Sequence, residues 1–599
     1  MFGKIFKLIG FCLRTFCYSI LSSFRNMKAC LVLILCMLAL PLQASNLTIR
    51  GISGEVLDNI KLLVASQASD CLEPANNLEK YRLDLEKTIT KATQPFGFYS
   101  PSLTLEVKDS NQTCLQLDAN IKLNQAIKVE LVDISLNGSG KSDKNFVAAI
   151  ERFPLKVGDI LVDKHYSQLK RRLESIAIEH AYLDFEFSKA EILISRQDHS
   201  AKINLHINTG QRYRLGEVEV VQEPQFLDQS FVEALVPLKA EQWFTNSDLF
   251  KARNKILDSN YFASASVSLQ RDSAKNGKVP VKIILTKQNR IDYSVGVGFS
   301  TDTKTRFRFD YNNRQLNDKG YQFSSKLSLS DVVKELTAGL KLPSQSNPAN
   351  SWYSLDLGFK EELTDITQSK SSKFGISKTR VLPSGWKTTN FIDLVYDEFD
   401  TGIDEGSSFL VVPGTSWNYI STDNPVLPDQ GFRFQTEIQG AHEQLASDAT
   451  FLQVSAAYKG ISTFAPKHRL IYRAEVGTSL TSDLTDLPLD YRFFAGGDNS
   501  VRGVDYRTIS PQDDTGDFIG GKHLAVASIE YDYRFAESWA FAVFSDIGSA
   551  FNDSPDFQKS LGIGLRWISP IGPIRLDLAA PIDSDQDQIR LHLSLGPDL

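Results

Sequence analysis

Methionine and cysteine nearly vanish from this chain after residue 37. All three Met (Met1, Met27, Met37) and four of the six Cys (Cys12, Cys17, Cys30, Cys36) lie before that point. Beyond the opening stretch no run of 18 consecutive apolar residues occurs, which excludes a later transmembrane helix. A basic surplus is also missing. The chain has 65 Lys and Arg against 72 Asp and Glu, so the footprint of a nucleic-acid partner is lacking. The eight His are scattered, and there is no G-x-S-x-G, P-loop, H-E-x-x-H or Cys–His arrangement. These absences argue against an enzyme and imply no cofactor or metal. What is present, 42% hydrophobic and 23% charged residues over 599 positions, is the balance of a folded chain of several domains.

From Met27 the chain reads MKACLVLILCMLALPLQA. Lys28 supplies a basic n-region, residues 29–40 an apolar core, and residues 41–44 a short c-region ending in Ala. That is the pattern of a secretory signal peptide cut after Ala44, which makes 1–44 a leader. The preceding residues, with Lys4, Lys7, Arg14 and Arg25, read as a long n-region or as sequence upstream of a start at Met27. A retained anchor is the weaker alternative, because the apolar core is short and ends in Pro. Export carries the chain to an oxidising compartment. There the two remaining cysteines, Cys71 and Cys114, are expected to form one disulfide rather than two buried thiols. Neither has the further ligands that a metal site needs.

Three segments then share one order of elements. A strand-like start leads to a helical stripe, then to an aromatic kink and two strands. The stripes are Leu78, Tyr81, Leu85, Ile89 and Ala92; then Tyr166, Leu169, Leu173 and Ile176; then Leu249, Ala252, Ile256 and Leu257. The kinks carry Tyr99, Tyr182 and Tyr261. A period near 80 residues is too long for a solenoid and suits three small tandem β-α-α-β-β domains, at 45–125, 126–209 and 210–288. Such modules carry no chemistry of their own, but a short sheet has an edge that can accept a strand.

Near residue 289 the grammar changes to alternating strands that run to 599. In Tyr353–Lys360, Tyr, Leu, Leu and Phe share one face and Ser, Asp, Gly and Lys the other. Segments 574–578 and 589–595 repeat the pattern. Charges opposite apolar residues over more than 300 residues suit lipid on one side and a wet lumen on the other, better than a soluble β-sandwich. Sixteen strands are expected, beginning near 291, 304, 320, 334, 351, 366, 385, 407, 431, 449, 469, 521, 539, 559, 571 and 588. The even number favours an antiparallel outer-membrane β-barrel. The interruption at 481–520 is too long for a periplasmic turn and is expected to be an outer loop.

That loop contains Phe494-Ala495-Gly496-Gly497-Asp498-Asn499-Ser500-Val501-Arg502-Gly503-Val504-Asp505-Tyr506. Downstream stand Phe544-Ser545-Asp546-Ile547-Gly548, Gly562-Ile563-Gly564-Leu565-Arg566-Trp567 and Ser569-Pro570-Ile571-Gly572-Pro573. With three POTRA-like repeats before the barrel, the mature chain resembles the outer-membrane assembly and two-partner-secretion superfamily to which BamA belongs. The number of repeats and the ending Leu595-Gly596-Pro597-Asp598-Leu599 resemble its TamA branch, the outer-membrane subunits of the translocation and assembly module. The resemblance implies a protein that helps insert or secrete outer-membrane proteins such as autotransporters. It also implies a TamB-like, inner-membrane-anchored periplasmic partner. A passive diffusion channel, or a BamA-like or two-partner-secretion transporter, are the alternatives. Val504 departs from the aromatic that usually follows V/I-R-G, which puts the anchoring of the loop tip in question.

Strand periodicity supplies two further expectations. Phe541, Val543 and Ile547 share a lipid face, so Asp546 faces the lumen with Ala540 and Ala542. Ile529, Tyr531 and Tyr533 likewise leave Glu530 inward. An outer loop folded into the lumen brings Arg502, next to Gly503, to Glu530 and Asp546, where the guanidinium fork suits carboxylates; a solvated turn is the plain alternative. The other expectation is a weak lateral seam between the first and last strands. Gly296 and Gly298 offer no side chains for cross-strand packing, and Gly596-Pro597 stops the ladder.

Overall fold

The computed structural model describes residues 47–65, 78–109, 115–364, 368–400, 405–424, 427–514, 516–569, 572–582 and 589–595. The expected leader, Cys71, Cys114, Gly596 and Pro597 lie outside the described residues. The chain divides into two compact units, one ending at Tyr213 and the other beginning at Arg214.

The first unit holds two repeats with one plan. In the first, β1 (Leu47–Arg50), α1 (Gly54–Ala65) and α2 (Leu78–Thr93) precede β2 (Ser102–Asp109) and β3 (Gln116–Lys122). In the second, β4 (Lys128–Asn137), α3 (Lys144–Glu151) and α4 (Asp163–Glu179) precede β5 (Glu186–Ser195) and β6 (Ser200–Asn208). The last strand of each repeat is central, parallel to the first and antiparallel to the second, so two edges stay open per sheet. The helices form because their apolar residues recur on one face and bury there. On α4, Tyr166, Leu169, Leu173 and Ile176 pack against Ala201, Ile203, Leu205 and Ile207, the inward residues of β6. Tyr182, just after α4, donates its hydroxyl proton to Asp143 at 2.9 Å, and the same carboxylate caps the start of α3 by accepting from the Asn145 N–H. Burial, with that bond, pushes the Tyr182 hydroxyl up to about 12.

The second unit opens with the third repeat: β7 (Arg214–Glu223), α5 (Gln229–Leu235), α6 (Asn246–Leu257), β8 (Phe262–Leu269) and β9 (Lys278–Lys287). Thr245 and Asp248 form a reciprocal capping box at the start of α6. Val279, Val281, Ile283 and Leu285 alternate inward along the central β9. Sixteen antiparallel strands follow in chain order. They are β10 (Ile291–Ser300), β11 (Lys304–Asn313), β12 (Gln322–Ser330), β13 (Val333–Pro343), β14 (Ser351–Leu363), β15 (Gln368–Val381), β16 (Lys387–Asp400) and β17 (Glu405–Thr422). Then come β18 (Gln430–Ala441), β19 (Phe451–Ala465), β20 (His468–Thr481), β21 (His523–Ala536), β22 (Trp539–Phe551), β23 (Gln558–Ser569), β24 (Gly572–Pro581) and β25 (Arg590–Leu595). No strand begins more than two residues from its expected start. The physical reason is the two-residue period, which a lipid face enforces on every strand.

The third repeat grips the turn between β11 and β12. Gln315 donates to the Phe226 carbonyl at 2.8 Å, Gln322 to the Ser259 carbonyl at 3.2 Å, and the Tyr261 hydroxyl to the Gly320 carbonyl at 2.5 Å. Gly320 sits at φ +76°, and a Cβ there would stand 2.5 Å from the Phe231 ring, so only glycine fits. Burial holds the Tyr261 hydroxyl above its ordinary range. The turn is thereby on the same side of the barrel as the third repeat. Aromatic pairs such as Phe432–Tyr458, Tyr458–Tyr472 and Trp539–Trp567 gather towards that end of the strands, as an interfacial girdle does.

One strand junction differs from the rest. Each neighbouring pair from β10 to β25 forms a ladder, but β25 and β10 lie side by side with no ladder between them among the described residues. The expected weak seam concerned this same junction of first and last strands. On its inner side β10 is fully paired, with Gly296 and Gly298 in register with β11 opposite Arg308 and Arg306. The break is on the other side of β10, where the six residues of β25 face it.

Candidate functional site: the lumen loop and its anchors

Residues 482–522, between β20 and β21, form the longest connection in the barrel and enter its interior. The loop keeps its shape by its own contacts. The buried Arg492 guanidinium donates to the carbonyls of Leu487, Ile519 and Thr485. Short bridges join Phe493 to Gly521 and Ala495 to Ile509. Backbone groups that would be orphaned inside a barrel are thereby satisfied.

Arg502 sits near the tip of this scaffold, 6% exposed. Its Nε and Nη2 donate to the two oxygens of Asp546 at 2.8 and 2.9 Å, the bidentate geometry that suits a guanidinium. Its Nη1 donates to Glu530 at 2.7 Å and to Asp577 at 3.2 Å, and the guanidinium lies 3.3 Å from the centre of the Phe544 ring. Sequence periodicity pointed to Glu530 and Asp546 and missed Arg566 and Asp577. Arg566 donates to Glu530 at 2.8 Å and to Asp577 at 2.5 Å. Arg473 adds a third cation, donating to the Asn499 and Ser500 carbonyls while standing 3.8 Å from Asp546. Asp532 stands 4.0 Å from Arg566 and pairs with Arg469, so four arginines meet four carboxylates and the charges of this group balance. That matters because an unpaired ion would carry a large desolvation cost. Strand alternation carried the missed signal, since Arg566 and Asp577 lie on inward positions of β23 and β24.

Gly503 has φ +93°, and a Cβ there would meet Ala579 at 3.3 Å, so the loop tip lies flat on β24. Val504 packs against the cluster of Ala495, Val501, Ile509, Leu524, Val526 and Ala550. The place that an aromatic usually takes is here an aliphatic contact.

A second group of anchors was not expected from sequence. The Asp498 carboxylate accepts from Ser300 Oγ at 2.6 Å, Thr301 Oγ1 at 2.9 Å and His592 Nδ1 at 2.5 Å. Its backbone N–H donates to Asp302 at 2.7 Å, and the Gly503 N–H donates to His592 Nε2 at 2.9 Å. Asp505 pairs with Arg590. Burial alone would raise the Asp498 carboxyl, but the bonds from His592, Ser300 and Thr301 outweigh it and hold it below its ordinary value. Asp302 has fewer donors, and burial beside the Asp498 charge pushes it up to about 6. On the opposite wall, Arg507 donates to Glu362 at 2.9 Å, which also pairs with Lys360 at 2.7 Å.

The comparisons with known proteins agree with this architecture. Residues 285–598 match the model of the Omp85 superfamily domain, and residues 46–123 match that of POTRA domain TamA domain 1. The chain is 25% identical to the outer membrane protein assembly factor BamA of Nitratidesulfovibrio vulgaris, over 72% of this chain and 57% of that protein. It is 20% identical to BamA of Neisseria meningitidis, over 87% of this chain and 73% of that protein. The chain therefore spans little more than half the length of the first of these relatives. The crystal structure of BamA from Haemophilus ducreyi lacking POTRA domains 1–3 superposes with a TM-score of 0.61 at 15% identity, covering 78% of this chain and 99% of that one. A matched family domain over more than half its length, joined to a TamA-type POTRA domain, makes this chain a member of the Omp85 superfamily of outer-membrane proteins.

Proposed function

We propose that the protein helps insert or secrete outer-membrane proteins, autotransporters among them, by presenting an incoming strand with the open edge of its barrel. The observation that carries this reading is that, among the described residues, no ladder joins β25 to β10. A strand entering lipid must keep its backbone groups paired, because each unpaired group costs several kcal/mol there. The free edge of β10 offers such a partner, and its outward residues Tyr293, Val295 and Val297 are 71%, 61% and 75% exposed. The loop filling the lumen disfavours a passive diffusion channel. The open edges of the three small sheets suit strand addition by clients or by a TamB-like periplasmic partner.

The test is a disulfide engineered between adjacent positions of β10 and β25. Its control joins Ile376 and Ile392, directly opposed on β15 and β16. Lateral opening requires that only the seam disulfide stops assembly of a client barrel and that reductant restores it. Equal activity of both locked proteins would refute it. Photocrosslinking from the first repeat tests the partner: capture of a TamB-like protein or of nascent outer-membrane proteins is expected, and labelling of neither counts against that assignment.

A further inference from the structure

We propose that Asp498 and His592 form a latch that holds the barrel seam shut in place of a backbone ladder. The lumen loop, rather than strand pairing, then sets how readily the seam opens. This rests on the lateral-opening reading above.

The latch spans the seam through one loop residue. On one side, Ser300, Thr301 and Asp302 at the outer end of β10 bond to the carboxylate and backbone N–H of Asp498. On the other side, His592, on an inward position of β25, bonds to the same carboxylate and receives the Gly503 N–H. The Asp505–Arg590 pair ties the loop to β25 once more. The His592 and Asp498 side chains are only 7% and 6% exposed, so water competes little for these bonds.

The hydrogen bonds also define the imidazole. Its Nε2 accepts the Gly503 N–H and so carries no proton; the ring proton is on Nδ1 and points at Asp498. This sets aside a different reading of the same residues. Oxygen and nitrogen atoms of Asp302, Asp498 and His592 lie within 4.8 Å of one another, close enough to suggest a cation site. A cation on Nδ1 would force the ring proton onto Nε2, against the Gly503 N–H. The oxygens of Asp498 are already taken by three donors. The cluster is built to transmit hydrogen bonds across the seam.

The latch is separable from the lock around Arg502. Arg502 ties the loop to β21, β22 and β24 through Glu530, Asp546 and Asp577, while Arg507 ties it to β14 through Glu362. Loss of Asp498 or His592 therefore frees the seam and leaves the loop in the lumen.

The experiment uses the full-length protein in lipid vesicles, with ketone-bearing residues at Val297 and Leu591 coupled to nitroxide labels. Both positions face outward on the two seam strands, and this coupling spares Cys71 and Cys114. Pulsed electron paramagnetic resonance then reports the distance across the seam. Asp498→Ala and His592→Ala should raise the long-distance population roughly tenfold, the effect of losing a charge-assisted bond. His592→Asn, which can still donate towards Asp498, should fall between. Protease access to the loop should stay at the parent level. Unchanged distance distributions in both alanine variants would overturn the latch, as would release of the loop in parallel with the seam. Should Asp498→Ala fail to fold, the Ser300→Ala/Thr301→Val double variant removes the β10 side of the contact and carries the same expectation. The seam disulfide distinguishes the two readings. If the locked seam keeps its activity, lateral opening falls, while the distances still decide whether Asp498 and His592 hold the edges together.

Discussion

Between β22 and β23 ten consecutive residue pairs face each other, from Trp539–Trp567 to Gly548–Gln558, and the Arg502 cluster lies on their lumen side. Between β25 and β10 there is no such ladder among the described residues, and the loop bridges the gap through Asp498. The two junctions belong to one barrel and touch one loop. A ladder is cooperative: each bond fixes the register of the next, and lipid makes an isolated break expensive. A latch of a few side-chain bonds has no register to defend and can be released in one step. On the proposed reading, stability and gating fall to different chemistry, a few residues apart on the same loop.

The largest effect expected on this contrast comes from Arg502→Ala. It leaves Glu530, Asp546 and Asp577 facing Arg566 and Arg473 with one cation missing. Removing one partner of a buried ion pair costs about 3–5 kcal/mol. The wall ladders should survive, so the barrel should still shift on heating in a gel assay, while the loop becomes open to protease and assembly activity is lost. An unchanged loop with full activity would show that the wall, and not the arginine, holds it.

Gly503→Ala should act more mildly and on both junctions together. The positive φ and the close approach to Ala579 make any side chain strained, by roughly 1–3 kcal/mol. Lifting the tip from β24 also pulls the Gly503 N–H from His592. Partial loop exposure with a partly opened seam is the expected pair of readouts. Seam opening with an undisturbed tip would separate them.

Tyr261→Phe probes the seam-side strands from the periplasmic end. It leaves the Gly320 carbonyl without its hydroxyl donor, a loss of about 1–2 kcal/mol. The third repeat should loosen from the β11–β12 turn, seen as faster hydrogen exchange in the turn, with no change at Arg502. Slower exchange, or none of this effect, would show that Gln315 and Gln322 suffice.

The smallest effect concerns pH. Asp302 is pushed up to about 6 from 3.8, so the closed seam binds its proton more tightly than a separated one. Its contribution is therefore fully present below about pH 4 and is lost as pH rises towards 6. The titratable groups near it are Asp498, His592 and Tyr506, and all three stay in place in Asp302→Asn. That variant should remove this part of the pH dependence and tighten the seam at neutral pH, measured by the same label distances. A looser seam in the Asn variant would show that the Asp302 charge helps the latch.

How much could be read from residues alone follows from how local each signal is. Alternation along a strand repeats every two residues, so strand number, strand starts and the inward direction of Glu530 and Asp546 were legible without coordinates. The helical stripes and the period of the repeats were legible for the same reason. Arg502, one of three arginines in the loop, stood out because it occupies the Val501-Arg502-Gly503 motif that carries the family resemblance while alternation turns Glu530 and Asp546 inward. His592 carried no such mark: it is one of several polar inward residues on a short strand, and nothing local shows that a turn nearly a hundred residues away reaches it. Arg566 and Asp577 were hidden alike, since alternation says which way a side chain points but not what it meets across a lumen. Gly296 and Gly298 pointed to the edge of β10 that meets the last strand, but they could not show which loop residues reach across it. Periodicity and composition determined the modules, the barrel and the direction of its side chains. Closure of the barrel, which brings residues remote in sequence to the same few ångströms, decided the lock and the latch.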